Sequence, residues 1–335
     1  MTLPDTVGVV ILIALNAYVV FAGADFGGGV WDLLAGGPRR AAQRGLIIEA
    51  IGPIWEANHV WLILVIVLLF TCFPPAFAEI TTTLHIPLSL MLIGIVLRGS
   101  AFTFRTHHGP DDAMALHWGR IFAIASAVTP VFLGMCLGAL ASGAVPRAGK
   151  TGFHDAFVAP WVTPFCFAVG LLALTLFAFL AAVYLTVEAR DSALREDFRR
   201  RALAAAAAVF VAAAGTLGLA LAGAPLVGRG LSASAWALPL HVATGLAAVT
   251  AIGALWRRHY RVARVAAAGQ VSLILWGWAL AQHPYVVPPA LTIAEAAAPT
   301  ITLTLVAWAL GVGALVLFPS LAYLFRVFKQ GADRA

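Results

Sequence analysis

The chain has 335 residues, 61% of them hydrophobic and 11% charged, and its mean hydropathy is +0.93. This composition excludes a soluble globular protein and predicts an integral membrane protein. The net charge of +6 does not indicate nucleic-acid binding, because the basic residues fall in short loops between apolar runs and not along one face. The cysteines have no C-x-x-C spacing, so we expect small core residues at Cys72, Cys136 and Cys166.

Nine apolar runs are long enough to cross a bilayer, which takes about 20 helical residues. We place them at 6–23, 54–73, 79–98, 121–143, 160–186, 202–224, 236–255, 262–282 and 300–326. The connections after the first, third, fifth and seventh runs, together with the C-terminal end and the run ends beside them, contain 18 of the 21 Lys and Arg residues. The other three, Arg147, Lys150 and Arg229, lie in the connections between them. The positive-inside rule then puts the N-terminus outside and the C-terminus in the cytoplasm. We expect the first run to be a retained helix and not a signal peptide, since no basic residue precedes it.

A segment rich in glycine and aspartate, GADFGGGVWD at 23–32, follows the first run. Each glycine in a helix interior costs about 1 kcal/mol, so we predict that the first helix ends or loosens here. One interpretation is a flexible helix exit with two solvated acids. The other is a tight turn that holds Asp25 near a buried group, and the spacing alone does not decide between them.

The second motif, GPIWEANHVW at 52–61, puts a carboxylate, an amide and an imidazole at the start of an apolar run. A charge at the bilayer centre costs roughly 2.5 to 3.5 kcal/mol, so such groups usually face a partner, a cavity or a proton path. If the region is one helix, Glu49, Glu56 and His59 share a stripe. Glu56 is then either part of an interfacial cap flanked by Trp55 and Trp61, or part of a proton relay with His59.

The third apolar run contains His85 near its start and Arg98 at its end. A single histidine in an apolar helix is typical of a hydrogen-bonded core residue, so we predict no haem iron or other metal site here. We expect Arg98 and Arg105 to snorkel or to pair with Asp25 or Glu49.

Five segments, in order along the chain, resemble the second, smaller subunit of cytochrome bd quinol oxidases. They are GADFGGGVWDL at 23–33, PIWEANHVW at 53–61, FPPAFA at 73–78, RGSAFTFR at 98–105, and PYVVPP at 284–289 with Thr292. The resemblance implies an all-α integral membrane protein with about nine transmembrane helices. It further implies a four-helix bundle in 1–145, a second in 146–290, and a peripheral ninth helix with a cytoplasmic tail in 291–335.

The resemblance implies a multi-pass protein of the bacterial plasma (inner) membrane, in a heterodimer with a haem-bearing subunit I. That subunit carries haems b and d, and the complex oxidises quinol, reduces oxygen to water and draws protons from the cytoplasm. This chain is then haem-free and binds neither metal nor nucleic acid. Whether a small accessory subunit joins the dimer is left open. The rival hypothesis is a proton-coupled secondary transporter, for which nine helices, glycine-broken segments and buried acids would also be natural.

The resemblance also implies roles for individual residues. Glu56 occupies the acidic position of the family's Trp-acid-small-Asn pattern, where many relatives have aspartate, and would belong to a proton pathway. His59 stands where relatives often have glutamine and is assigned to the same pathway. Asp25 and Trp55 lie where some relatives hold a structural quinone. Trp61 occupies an aromatic position associated with oxygen access.

Overall fold

The computed structural model describes residues 2–52, 55–106, 113–146, 149 and 152–332. Within these residues, nine helices are long and apolar enough to cross a membrane, which confirms the predicted number. Pro53, the first residue of the PIWEANHVW motif, lies outside the described residues, as do Arg147 and Lys150.

The helices are α1 (Leu3–Leu33), α2 (Arg40–Ile51), α3 (Trp55–Cys72), α4 (Pro74–Thr83), α5 (His85–Thr106), α6 (Ala113–Ser142), α7 (Phe153–Phe157), α8 (Pro164–Glu188), α9 (Ser192–Gly223), α10 (Pro225–Ala233), α11 (Ala237–Trp256), α12 (Tyr260–Gln282) and α13 (Thr300–Ala332). The candidate spans are α1, α3, α5, α6, α8, α9, α11, α12 and the part of α13 up to Tyr323. Between α12 and α13, β1 (Tyr285–Val287) pairs antiparallel with β2 (Leu291–Thr292), a short hairpin that the sequence did not predict.

Helix α1 continues through the glycine-rich segment, so the prediction that the first helix ends or loosens there is wrong. The reason is close packing against neighbouring helices. A Cβ atom on Gly27 would lie 1.9 Å from the backbone oxygen of Phe177 in α8, and one on Gly29 would lie 2.2 Å from Cβ of Ser126 in α6. Interhelical contacts made possible by the missing side chains therefore offset the poor helix propensity of glycine.

Helix α8 and helix α6 are the two most enclosed of the described spanning helices, and α8 packs against α1, α6, α9 and α12. The helices α1, α3, α5 and α6 pack among themselves, and so do α8, α9, α11 and α12. Because α8 also packs against α1 and α6, the division into two bundles at 145/146 stays a prediction. The three cysteines are free and buried, as predicted.

The outer surface carries many large apolar side chains, among them Trp308 and Leu315 of α13. An apolar surface of this extent would favour aggregation in water, whereas it suits contact with hydrocarbon or with another membrane subunit. The protein is therefore a multi-pass membrane protein.

The connections that contain most of the arginines meet at one end of the molecule, which we call the basic end. Ion pairs join them there: Arg39 with Asp197, Arg105 with Asp32, and Arg264 with Glu188. The grouping follows the alternate-loop pattern of the sequence. That the basic end faces the cytoplasm stays a prediction.

Candidate functional site

A buried polar cluster, which we call the Asp25 cluster, lies between α1, α3 and α5 and comprises Tyr18, Asp25, Asn58, His59 and Arg98. Asp25 and Asn58 are both buried, and Asn58 Nδ2 donates a hydrogen bond to Asp25 Oδ2 at 2.6 Å. Arg98 of α5 lies over the ring of Phe26, the residue that follows Asp25 in α1. Asp25 is thus held near a buried cation, as one interpretation of the segment proposed, but by a continuous helix and not by a turn.

Arg98 is only 1% exposed and is enclosed by aromatic rings. Its Cζ atom lies 4.7 Å from the ring centroid of Phe26 and 5.4 Å from that of Phe122, which is the geometry of cation–π contacts. Of the two predicted roles of Arg98, snorkelling is wrong, because the residue lies about two turns before the end of α5 and points into these rings; the other, a position near Asp25, agrees with its place over Phe26. Its Nε and Nη2 atoms have no hydrogen-bond partner among the described residues, so they can donate to an acceptor.

His59 is half-buried beside the same rings. Its ring centroid lies 6.0 Å from that of Tyr18, 6.2 Å from that of Phe26 and 6.3 Å from that of Trp55. The Nδ1 atom of His59 is buried without a hydrogen-bond partner in the described part of the chain. The structure therefore brings Asp25, Trp55 and His59 together around one cluster.

Glu56 lies apart from this cluster. It is exposed in the first turn of α3, whereas His59 faces the rings of α1. Glu49 does not join the expected stripe of Glu56 and His59, because it lies on α2, a separate helix that ends at Ile51, and is exposed there. The second tryptophan of the motif, Trp61, is half-buried and packs against the apolar core.

A second buried acid, Asp32, lies at the basic end of α1 and is 0% exposed. Its Oδ1 atom lies 3.1 Å from Arg105 Nη2 and 3.6 Å from Arg44 Nε. The predicted pairing of Arg105 with Asp25 or Glu49 is therefore wrong, and so is the interpretation with two solvated acids. Burial lowers the pKa of Arg44 from its usual value, and the charge of Asp32 opposes that shift.

Asn58, Tyr18 and Arg98 were not among the site residues assigned from the sequence. An amide and a guanidinium inside apolar runs were nevertheless visible there, and both are expensive in a membrane. His85 is exposed and its Nδ1 atom lies 2.9 Å from the Thr82 oxygen, so the expectation of a core histidine is wrong. In the described part of the chain, no group of three or more His, Cys, Asp or Glu side chains could hold a metal ion.

The family model for cytochrome bd terminal oxidase subunit II matches residues 3–328, almost the whole chain. The chain belongs to this family. The match confirms the resemblance drawn from the five segments, and it does not favour the hypothesis of a secondary transporter.

Two curated relatives of this subunit II chain support the assignment. The chain is 28% identical over 188 residues to a protein named "Cytochrome bd ubiquinol oxidase subunit 2" from Bacillus subtilis, a match that covers 52% of this chain and 54% of the relative. It is also 28% identical over 131 residues to "Cytochrome bd-I ubiquinol oxidase subunit 2" from Escherichia coli, which covers 39% of this chain and 34% of that protein. The matches thus span about half or less of these relatives.

A solved structure titled "The structure of bd oxidase from Geobacillus thermodenitrificans" has the same fold. A chain of that structure superposes with a TM-score of 0.80 at 22% identity, and the match covers 98% of this subunit II chain and 99% of the other. This similarity confirms the all-α membrane fold.

Proposed function

We propose that this chain is the haem-free subunit II of a cytochrome bd-type oxidase. The complex would oxidise quinol, reduce oxygen to water and build a proton gradient by taking protons from the cytoplasm. The family match over residues 3–328 carries this proposal. We assign haems b and d to the partner, subunit I, in a bacterial plasma (inner) membrane, with the basic end of this chain in the cytoplasm.

The outer face of α3 suits the contact with subunit I. Four exposed apolar side chains follow Glu56 on this face at spacings of four, three, four and three residues: Val60, Ile63, Val67 and Phe70. Such a stripe is typical of a helix that packs against another helix. We therefore propose that the α3 outer face, with Glu56 at its end, lies against subunit I.

Glu56 is then the residue that passes protons from the cytoplasm towards the partner. Three features support this role: the carboxyl group is exposed, it lies at the basic end of α3, and it heads the proposed contact face. His59, one turn further along α3, is the second proposed residue of the pathway. A carboxylate facing hydrocarbon would be costly, whereas one at a subunit interface can exchange protons with groups of the partner.

The Asp25 cluster supports the proposed structural quinone. Arg98 has two buried donor nitrogens, Nε and Nη2, without partners among the described residues, and a quinone carbonyl oxygen is an acceptor that suits them. Trp55 offers an aromatic face beside the cluster and also lines a groove of about 450 Å³ with Gly99 and Ser100. When bound, the quinone would supply a rigid ring that fills this part of the fold. Trp61 is proposed to border an apolar route for oxygen.

The test is purification of the chain from its native membrane, followed by absorption spectroscopy and oxygen-uptake measurements with added quinol. We expect co-elution with a haem-rich subunit and quinol-dependent oxygen consumption. A colourless homo-oligomer that moves a solute after reconstitution into vesicles would overturn the proposal.

A further inference from the structure

A second cavity lies among α6, α8, α9, α11 and α12, away from Glu56. Its volume is about 540 Å³, within the range of about 300 to 1,000 Å³ in which proteins hold small ligands. Phe177 lines this cavity and stacks on Phe26, so a wall of rings separates the cavity from Arg98. We call it the α9–α12 cavity.

The lining of the α9–α12 cavity is almost entirely apolar. Among the described residues that line it, none is Asp, Glu, Lys, Arg, Cys or Tyr, and His241 is the one titratable side chain. Phe210 of α9 lines the cavity and is 76% exposed, so the cavity opens sideways onto the surface that faces hydrocarbon. A molecule can therefore enter from the bilayer, but a charged group has no counter-charge inside.

Five polar side chains nevertheless line this apolar space. His241 and Thr244 already contact the backbone oxygens of Leu231 and Leu240, which leaves Thr216, Gln270 and Trp278. Thr216 is only 9% exposed, and its Oγ1 atom has no hydrogen-bond partner among the described residues; the same holds for the buried Nε1 atom of Trp278. Gln270, also buried, lies eight residues before Trp278 on α12, about 12 Å along the helix axis. Unsatisfied donors at membrane depth are costly, so their presence indicates an acceptor that arrives with a ligand.

We propose that the α9–α12 cavity binds one lipid molecule, through an apolar chain that carries an uncharged carbonyl oxygen. The chain occupies the apolar lining, and the carbonyl oxygen accepts hydrogen bonds from Thr216, Gln270 or Trp278. Ester carbonyls of a glycerolipid and ring carbonyls of an isoprenoid quinone share this chemistry. The site is separate from the Asp25 cluster and does not depend on the proposed oxidase function.

The test compares two glycines of α11 that both have open space around an added Cβ atom. Gly245 lines the cavity and Gly253 does not. The protein is purified from its native membrane with whatever subunits accompany it, washed with mild detergent, and extracted for lipid analysis. We expect the unaltered protein and Gly253→Leu to retain about one equivalent of a chain-bearing lipid that Gly245→Leu loses.

Thr216→Val and Gln270→Leu keep the size of the side chains but remove their hydrogen bonds, so they test the carbonyl contact if Gly245→Leu fails to fold. We expect these variants to retain the lipid several-fold less well than the unaltered protein. Phosphate analysis of the released lipid identifies a glycerolipid, and redox-sensitive ultraviolet absorption identifies a quinone; either supports the proposal. Equal lipid retention in the unaltered protein and in all three cavity variants would overturn it.

Discussion

The close contact of α1 with α8 at Gly27 predicts that a larger residue at this position destabilises the protein. Replacing Gly27 with alanine would place a methyl group 1.9 Å from the backbone oxygen of Phe177, whereas ordinary contacts begin at 3.4 Å. The obstacle is backbone, so it cannot rotate away as a flexible side chain would. The two helices would have to move apart by up to about 1.5 Å, the difference between these distances, and would lose close packing.

Two opposing effects set the size of the stability change expected for Gly27→Ala. Alanine improves helix propensity over glycine by about 1 kcal/mol. Overpacking typically costs about 1 to 3 kcal/mol, and a clash with backbone belongs at the upper end of that range. We therefore expect Gly27→Ala to lower the stability of the folded protein by about 1 to 2 kcal/mol, the difference between these effects.

Gly8 of the same helix provides the matched control. An added Cβ atom there would lie 3.9 Å from Ile293 Cδ1, an ordinary contact, so Gly8→Ala gains the propensity without the clash. The assay is thermal unfolding of the purified protein in one detergent, followed by tryptophan fluorescence. We expect Tm to fall for Gly27→Ala and to stay level or rise for Gly8→Ala. A Gly27→Ala protein with the same Tm as the control would refute the account of the glycine-rich segment.

Three further changes test other parts of the structure. Asp32→Asn leaves two arginines without their buried counter-charge, so we expect a loss towards the lower end of about 3 to 5 kcal/mol, measured as a lower Tm; an unchanged Tm would contradict this. Arg98→Met removes the proposed donors to a quinone carbonyl, so we expect less quinone in extracts of the purified complex, and an unchanged quinone content would count against the site. Trp61→Leu should change the apparent oxygen affinity without changing quinol KM, and an unchanged oxygen affinity would argue against an oxygen route at this residue.

The number and order of the spanning helices could be predicted from the sequence because apolar length alone determines which segments can cross a bilayer. Helix ends could not be predicted in the same way. The first apolar run ends near Gly23, but α1 extends to Leu33, since the polar segment is buried against other helices and not released into water. Likewise α9 begins at Ser192, well before its apolar run, within the ion-paired basic end.

The site was only partly predictable for a related reason. The cost of an acid in a membrane directed attention to Asp25 and Glu56, and the structure buries the first but exposes the second. The partners of an acid depend on which helices meet, and sequence spacing does not give that. The Asp25–Asn58 hydrogen bond joins α1 to α3, and Asp32 pairs with Arg105 of α5, a contact between residues far apart in sequence.

The central claim, that Glu56 of this chain delivers protons to oxygen reduction, is tested most directly by comparing Glu56→Gln with Glu49→Gln. Both glutamates are exposed, but only Glu56 lies at the end of the α3 outer face, since Glu49 belongs to α2. The measurement is quinol-dependent oxygen consumption per haem in the purified complex. Proton-transferring side chains contribute roughly 10² to 10⁴ in rate, so we expect turnover of Glu56→Gln to fall at least about a hundredfold at unchanged haem content. Glu49→Gln should match the unaltered protein. Wild-type turnover in Glu56→Gln would contradict the claim and leave Glu56 as an interfacial cap.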